Sequence, residues 1–208
     1  MALYKTLIVN PVTKVLIWNI TESLDELLSG VTLTPSSTER LQGMKSDLHQ
    51  KGFVSVRHLL KEVGYNDDDL LYDGFGKPHL KDGKHISITH SFTFSAIIIS
   101  DDIPVGIDIE KRRDKILKIA HKFTPIEAYK SIANHDALVS KLTIVWGAKE
   151  SLYKIYGKKK LLFLNHIYID DFSFENNTTK GKILFEGVTD EYDVHFLEFD
   201  EFTCVYAL

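Results

Sequence analysis

Trp146-Gly147-Ala148-Lys149-Glu150-Ser151-Leu152-Tyr153-Lys154 lies in an apolar-periodic segment that reads as a helix over residues 137–157, with Gly157 as its C-cap. Some forty residues upstream, Val105-Gly106-Ile107-Asp108-Ile109-Glu110 continues a run of strand formers over residues 104–110. On a helix, Trp146, Glu150 and Lys154 recur at four-residue spacing and share one face. On an extended strand, Asp108 and Glu110 are two apart and share a face as well. Packing that strand on that helix gathers three carboxylates and a lysine, a set suited to a hard divalent cation holding a phosphate ester. Each segment alone has a plainer reading. Glu150 and Lys154 also fit an exposed helix pair worth a few tenths of a kcal/mol, and Asp108 and Glu110 fit the solvated face of an edge strand. Their joint occurrence is what points to a site.

The rest of the chain alternates between the same two kinds of element. Residues 3–9 and 12–20 read as strands joined by Asn10-Pro11, and Thr21 opens a short helix to Ser29 with Glu22 and Asp25 in its first turn. Pro35 starts a longer helical stretch, expected to break near Gly52, resume over Val54–Val63 and stop at Gly64. Asn66–Asp69 is a polar turn before a short strand at Leu70–Tyr72, and Gly74 and Gly76 mark a loop that exposes Lys77. Lys81–Lys84 reads as a turn, followed by strands at 86–89 and 94–100. Further helices are expected at 114–121 and 125–133. The tail alternates in period two over 167–174, 182–187, 194–199 and 202–206, with turns at Asn176-Asn177 and Thr189-Asp190. Helices and runs of strands thus occur twice, which predicts an α+β chain of two layered halves, residues 1–110 and 111–208.

Composition bounds the function. The 208 residues, 44% hydrophobic and 26% charged, are enough for a real core. Cys204 is the sole cysteine, so an internal disulfide or a cysteine-built zinc site is excluded. No apolar run approaches the length of a membrane span and no charged leader precedes one, so a cytoplasmic protein off the membrane is expected. The formal net charge of −4 argues against a nucleic-acid partner.

The V-G-I-D-I-E and W-x-x-K-E-S-x-x-K strings resemble the paired signatures of the 4′-phosphopantetheinyl transferases, in their larger, surfactin-synthetase-activating branch. Other strings stand in family order: Gly76-Lys77-Pro78; Thr89-His90-Ser91 at a strand end; Arg57-His58-Leu59-Leu60 for an R-x-L-L run; and Phe123-Thr124-Pro125-Ile126-Glu127 for F-S-x-x-E. Threonine replaces serine at 89 and 124, and serine the usual asparagine at 87. The resemblance implies two similarly folded halves related by a pseudo-twofold, with the active site between them, in a chain expected to be a monomer. It implies transfer of the phosphopantetheine arm of coenzyme A to a serine of an acyl or peptidyl carrier protein, with release of 3′,5′-ADP.

The same resemblance assigns roles. Asp108, Glu110 and Glu150 would hold Mg²⁺, with Mn²⁺ as an alternative ion. Glu150, or a water it holds, would be the base, with Glu127 the weaker candidate, and Lys154 would offset charge on the leaving phosphate. Arg57, Lys77, Pro78, Thr89, His90, Asp108, Lys149 and Lys154 would bind coenzyme A, and Arg40 is a weaker addition at the nucleotide end. Trp146 is given packing alone. Lys154, Lys158, Lys159 and Lys160 form a basic patch for an acidic carrier or, equally, a solvated helix end. Two competing readings are a metal-dependent phosphodiesterase or nuclease, and a module that binds coenzyme A or a carrier without turnover. Release of 3′,5′-ADP with and without a carrier separates them.

Overall fold

The structure, a computed structural model, describes residues 3–125, 129, 132, 134–158 and 160–208. The chain divides into two compact units, Met1–Pro104 and Val105–Leu208. The division falls ahead of the strand that carries Asp108 and Glu110 rather than just after Glu110. The reason is pairing: Gly106–Lys111 is hydrogen-bonded along its length to the C-terminal strand Phe202–Ala207.

In the first unit, β1 (Leu3–Asn10), β2 (Thr13–Asn19), β5 (His85–Ser91) and β6 (Phe94–Ser100) form an antiparallel sheet in the order β1-β2-β6-β5. β6 is central and buried throughout, which explains its unbroken Ala96-Ile97-Ile98-Ile99 run in place of strict alternation. A two-stranded hairpin, β3 (Leu70–Tyr72) with β4 (Pro78–Leu80), carries the Gly76-Lys77-Pro78 loop. Helix α1 (Leu24–Ser29) is opened by Ser23, not Thr21. The Ser23 hydroxyl accepts from the Glu26 N–H while Glu26 reaches back to the Ser23 N–H, a reciprocal cap that Thr21 cannot form.

The long helical stretch breaks earlier than expected. α2 (Pro35–Gln42) ends at Gly43, and α3 (Asp47–Glu62) runs unbroken through Gly52. A glycine inside a helix costs about 1 kcal/mol, whereas burying each of Phe53, Val54, Val56, Leu59 and Leu60 returns about 1.5–3 kcal/mol. Packing therefore wins. Gly52 is also required sterically, since a Cβ there would lie 2.9 Å from Cγ of His90 on β5.

In the second unit, β7 (Gly106–Lys111), β8 (Ile167–Ile169), β9 (Thr178–Phe185), β10 (Val188–Phe199) and β11 (Phe202–Ala207) form an antiparallel sheet in the order β7-β11-β10-β9-β8. Before the long helix comes α4 (Lys115–Ile119). Helix α5 (His135–Tyr156) is capped by the Asn134 side chain, which accepts from the Ala137 N–H. It ends at Gly157 in the left-handed conformation, φ 72°, as its sequence predicts. Ile144, Ala148, Leu152 and Ile155 of α5 pack on Ile183, Val194, Phe196 and Val205 of the sheet. Its other flank, Val139, Leu142 and Val145, packs on Ile116 of α4 and on Phe123. A short helix, α6 (Phe163–His166), precedes β8.

Two tail expectations are corrected. β8 stops at Ile169 because Asp170-Asp171 breaks the alternation, and Asp171 turns to pair with Lys141 of α5 at 2.7 Å. Thr189 and Asp190 lie inside β10; the turn is Glu186-Gly187, both at positive φ. Most of the helix expected at 125–133 lies outside the described residues. Among the described residues no helix is long and apolar enough to cross a membrane.

Candidate active site

α5 meets β7 and the adjoining β11 at unusually close range because two glycines allow it. A Cβ on Gly106 would lie 2.0 Å from the carbonyl oxygen of Ser151, and one on Gly147 would lie 2.8 Å from Val205. The single Ser151 O–H is shared between the Gly147 carbonyl (2.8 Å) and the Val205 carbonyl (3.1 Å), pinning helix to sheet. This contact brings the two sequence strings together.

Lys154 does not form the plain helix pair that its spacing from Glu150 permits. Its Nζ donates to Asp108 Oδ1 at 2.8 Å and to the Ile107 carbonyl at 2.7 Å. Asp108 is 6% exposed and the Lys154 side chain 27%, so the carboxylate is withdrawn from water while the ammonium keeps part of its contact with it. Glu110 and Glu150 are half-buried. Burial, and then the Asp108 charge, push Glu150 up to about 7; Glu110 pushes the same way, and Lys154 opposes. Glu110 is raised by burial and by Asp108, against the Trp146 hydrogen bond, Arg113 and Lys154. Asp108, Glu110, Glu150 and Lys154 therefore sense one another through a low-dielectric patch.

The donor chemistry fits a hard cation: carboxylate oxygens, partly desolvated, whose mutual repulsion a divalent ion would relieve. As the side chains stand, however, no three His, Cys, Asp or Glu among the described residues are gathered closely enough to hold one. The Lys154 ammonium is paired with Asp108.

Other expected residues divide clearly. Lys149 is not with the carboxylates. It is 3% exposed, and its Nζ donates to the Phe163 carbonyl at 2.7 Å and to the Ile167 carbonyl, tying α6 and β8 to α5. Desolvation lowers it to about 8. Arg57 is engaged by groups of its own unit. At 4% exposure it is bonded through Nε to Asp67 (2.8 Å), through Nη1 to the Phe53 carbonyl (3.0 Å) and through Nη2 to Ser37 (3.2 Å), above the Phe53 ring. An R-x-L-L string cannot distinguish a buried pair from a surface cation; the acidic Asp67 was the available hint. Arg40 stacks over Tyr72, 4.9 Å from the ring centroid.

Lys77 is half-buried rather than exposed, and burial lowers its pKa against the pull of Asp73. Asp73 accepts from the Phe75 and Lys77 N–H groups (2.8 and 2.9 Å), which shapes the glycine loop around Lys77 and half-buried Pro78. Thr89 is buried, and His90 is exposed beside the ring of His49, at 5.8 Å between centroids. Glu127 and Lys159 lie outside the described residues.

Sequence reasoning gave Trp146 packing alone, yet its indole Nε1–H donates to Glu110 Oε1 at 3.4 Å. The shared helix face with Glu150 was the signal available for it.

Residues 104–207, half of the chain, match the sequence model of the 4′-phosphopantetheinyl transferase superfamily. The chain belongs to that superfamily. The matched stretch holds Asp108, Glu110, Glu150 and Lys154, and leaves Lys77, Pro78, Thr89 and His90 outside. Similar relatives include the 4′-phosphopantetheinyl transferase ffp of Bacillus subtilis, 31% identical over 146 residues, 66% of this chain and 65% of that protein. The 4′-phosphopantetheinyl transferase gsp of Aneurinibacillus migulanus is 30% identical over 118 residues, 55% of this chain and 49% of that protein. The 4′-phosphopantetheinyl transferase Sfp of Bacillus subtilis strain 168 is 29% identical over 137 residues, 61% of each chain. The matches thus span from about half to just under two thirds of these relatives' own length.

Proposed function

We propose that this chain transfers the 4′-phosphopantetheine arm of coenzyme A to a serine of an acyl or peptidyl carrier protein, as a monomer in the cytoplasm. The observation that carries this reading is the ion pair of half-buried Lys154 with buried Asp108, flanked by half-buried Glu110 and Glu150, inside the segment that matches the superfamily.

In the reaction a bond forms between the serine oxygen and the β-phosphorus of coenzyme A. The bond from that phosphorus to the bridging oxygen breaks, and the electron pair leaves with 3′,5′-ADP. Asp108, Glu110 and Glu150 would hold Mg²⁺ or Mn²⁺, which supplies charge neutralisation at the pyrophosphate oxygens when bound. Glu150 takes the serine proton directly or through a water, since serine is a weak nucleophile without a base. Lys154 is a half-buried, preorganised cation that can exchange Asp108 for the developing charge on the departing phosphate. On the first unit, Lys77, Pro78, Thr89 and His90 are assigned to coenzyme A. Arg57 and Lys149 act structurally.

Release of 3′,5′-ADP is measured with the protein, coenzyme A and Mg²⁺, with and without an apo-carrier. Release that requires the carrier and stops in EDTA supports the reading. Release without a carrier makes the protein a phosphodiesterase. Tight coenzyme A binding with no release leaves a binding module.

A further inference from the structure

Glu110 is a long side chain at the outer end of β7, and a carboxylate there must be held in one rotamer to act together with Asp108. The neighbouring helix provides a rigid donor. Trp146 stands four residues before Glu150 on α5, and its indole Nε1–H reaches Glu110 Oε1. The indole is itself immobilised. It packs edge-on to Phe123, with centroids 5.1 Å apart at 65°, and tilted against Phe163, at 5.3 Å and 43°. One edge of the ring remains at a cleft of about 200 Å³ that Trp146 and Glu110 line together with Arg113 and Ile116.

We propose that Trp146 is a positioning residue for the divalent-cation site: its indole N–H fixes the Glu110 carboxylate, while the same helix delivers Glu150 one turn later. This inference rests on the assignment of Glu110 to the cation. A hydrogen bond to a ligating carboxylate sets its orientation, and the loss of such a bond weakens metal affinity more than it changes the chemistry. Packing alone requires only the rings. Positioning requires the N–H, and phenylalanine separates the two.

The chain carries its own control. Its other tryptophan, Trp18, also donates to a glutamate, Glu22, at 3.4 Å, but belongs to the first unit. ¹⁵N NMR of the full chain therefore shows two indole N–H resonances, assigned with Trp18→Phe. Glu110→Ala should move the Trp146 resonance upfield and leave that of Trp18 in place, and Mg²⁺ titration of the wild type should likewise move only Trp146. In Trp146→Phe, the Mg²⁺ concentration for half-maximal activity should rise about 10-fold, with the loss recovered at high Mg²⁺.

An unmoved Trp146 resonance in Glu110→Ala overturns the proposal, and so does a Trp146→Phe protein that folds and needs no more Mg²⁺ than wild type. Should Trp146→Phe fail to fold, the Mg²⁺ titration of the wild type decides, since a Trp146 resonance that Mg²⁺ binding leaves in place overturns the proposal. If wild type neither binds nor needs Mg²⁺, the cation assignment itself has failed, a result distinct from either outcome at Trp146.

Discussion

Arg57→Ala is the sharpest test of how the first unit is held together. Arg57 and Asp67 are bonded at 2.8 Å with side chains 3% and 1% exposed, so truncation strands a carboxylate in the interior. Removing one partner of such a pair costs about 3–5 kcal/mol. At about 2–4 °C per kcal/mol for a chain of this size, the melting temperature should fall by roughly 6–20 °C. Asp67 keeps the Thr34 N–H (2.8 Å) and Ser37 hydroxyl (3.0 Å) as donors, which argues for the lower half of that range. Thermal denaturation is paired with coenzyme A binding by calorimetry at a temperature where the variant is folded. The folded variant should bind coenzyme A with near-wild-type affinity. Arg57→Met/Asp67→Asn should lose less than the sum of the single variants, because it removes the stranded charge. The pH dependence has a definite sign. Burial would raise Asp67, but donation from Thr34, Ser37 and Arg57 outweighs it and holds the carboxyl below its ordinary range. A depressed carboxyl contributes stability above its unfolded pKa of about 3.9, lost as pH falls through the folded value. The gap between wild type and Asp67→Asn should therefore close in acid below that point. A variant Arg57→Ala that melts normally yet loses coenzyme A affinity would refute this account and restore Arg57 as a phosphate ligand.

Lys149→Met should leave coenzyme A affinity intact. Lys149 is lowered by desolvation to about 8, below the unfolded value of about 10.4, so the unfolded chain binds more protons between them and wild-type stability should gain from its neutralisation as pH rises from 8 to 10. Denaturant melts of wild type and Lys149→Met at both pH values check whether that gain disappears in the variant. Lys154→Ala should lower turnover at saturating coenzyme A more than it lowers affinity, since its charge is asked to act on the leaving group; loss of affinity alone would make it a ground-state clamp. Glu150→Gln should lose turnover that excess Mg²⁺ does not restore, and steady-state rates across a Mg²⁺ series show whether it does. Gly106→Ala forces a Cβ to 2.0 Å from the Ser151 carbonyl, so it should destabilise the second unit by over 2 kcal/mol on the order of an overpacked core, read as a shift in denaturant midpoint.

Where a local pattern and its packing agree, the sequence is sufficient: β6, α5 and its Gly157 cap fall where periodicity and cap chemistry put them. The pairing of Asp108 and Glu110 with the Glu150 face was legible because each spacing admits one face, and the glycines at 106 and 147 let the faces meet. A local pattern is silent where a residue's surroundings depend on a distant partner. Gly52 resembles a helix break until His90 is placed against it. Nothing in the strings around Arg57 and Lys149 shows that Asp67 and the carbonyls of Phe163 and Ile167 bond them. Trp146 shows the opposite error: its ring explains its burial so well that the N–H bond to Glu110 goes unsuspected.

The central claim is that Asp108, Glu110, Glu150 and Lys154 carry phosphopantetheine transfer. Intact-mass spectrometry of an apo-carrier protein incubated with this chain, coenzyme A and Mg²⁺ tests it most directly. The account predicts a gain of one phosphopantetheine group on the carrier serine, absent with an Asp108→Ala variant assayed at a temperature where it is folded. An unmodified carrier across acyl and peptidyl carrier types, or full modification by Asp108→Ala, would contradict it.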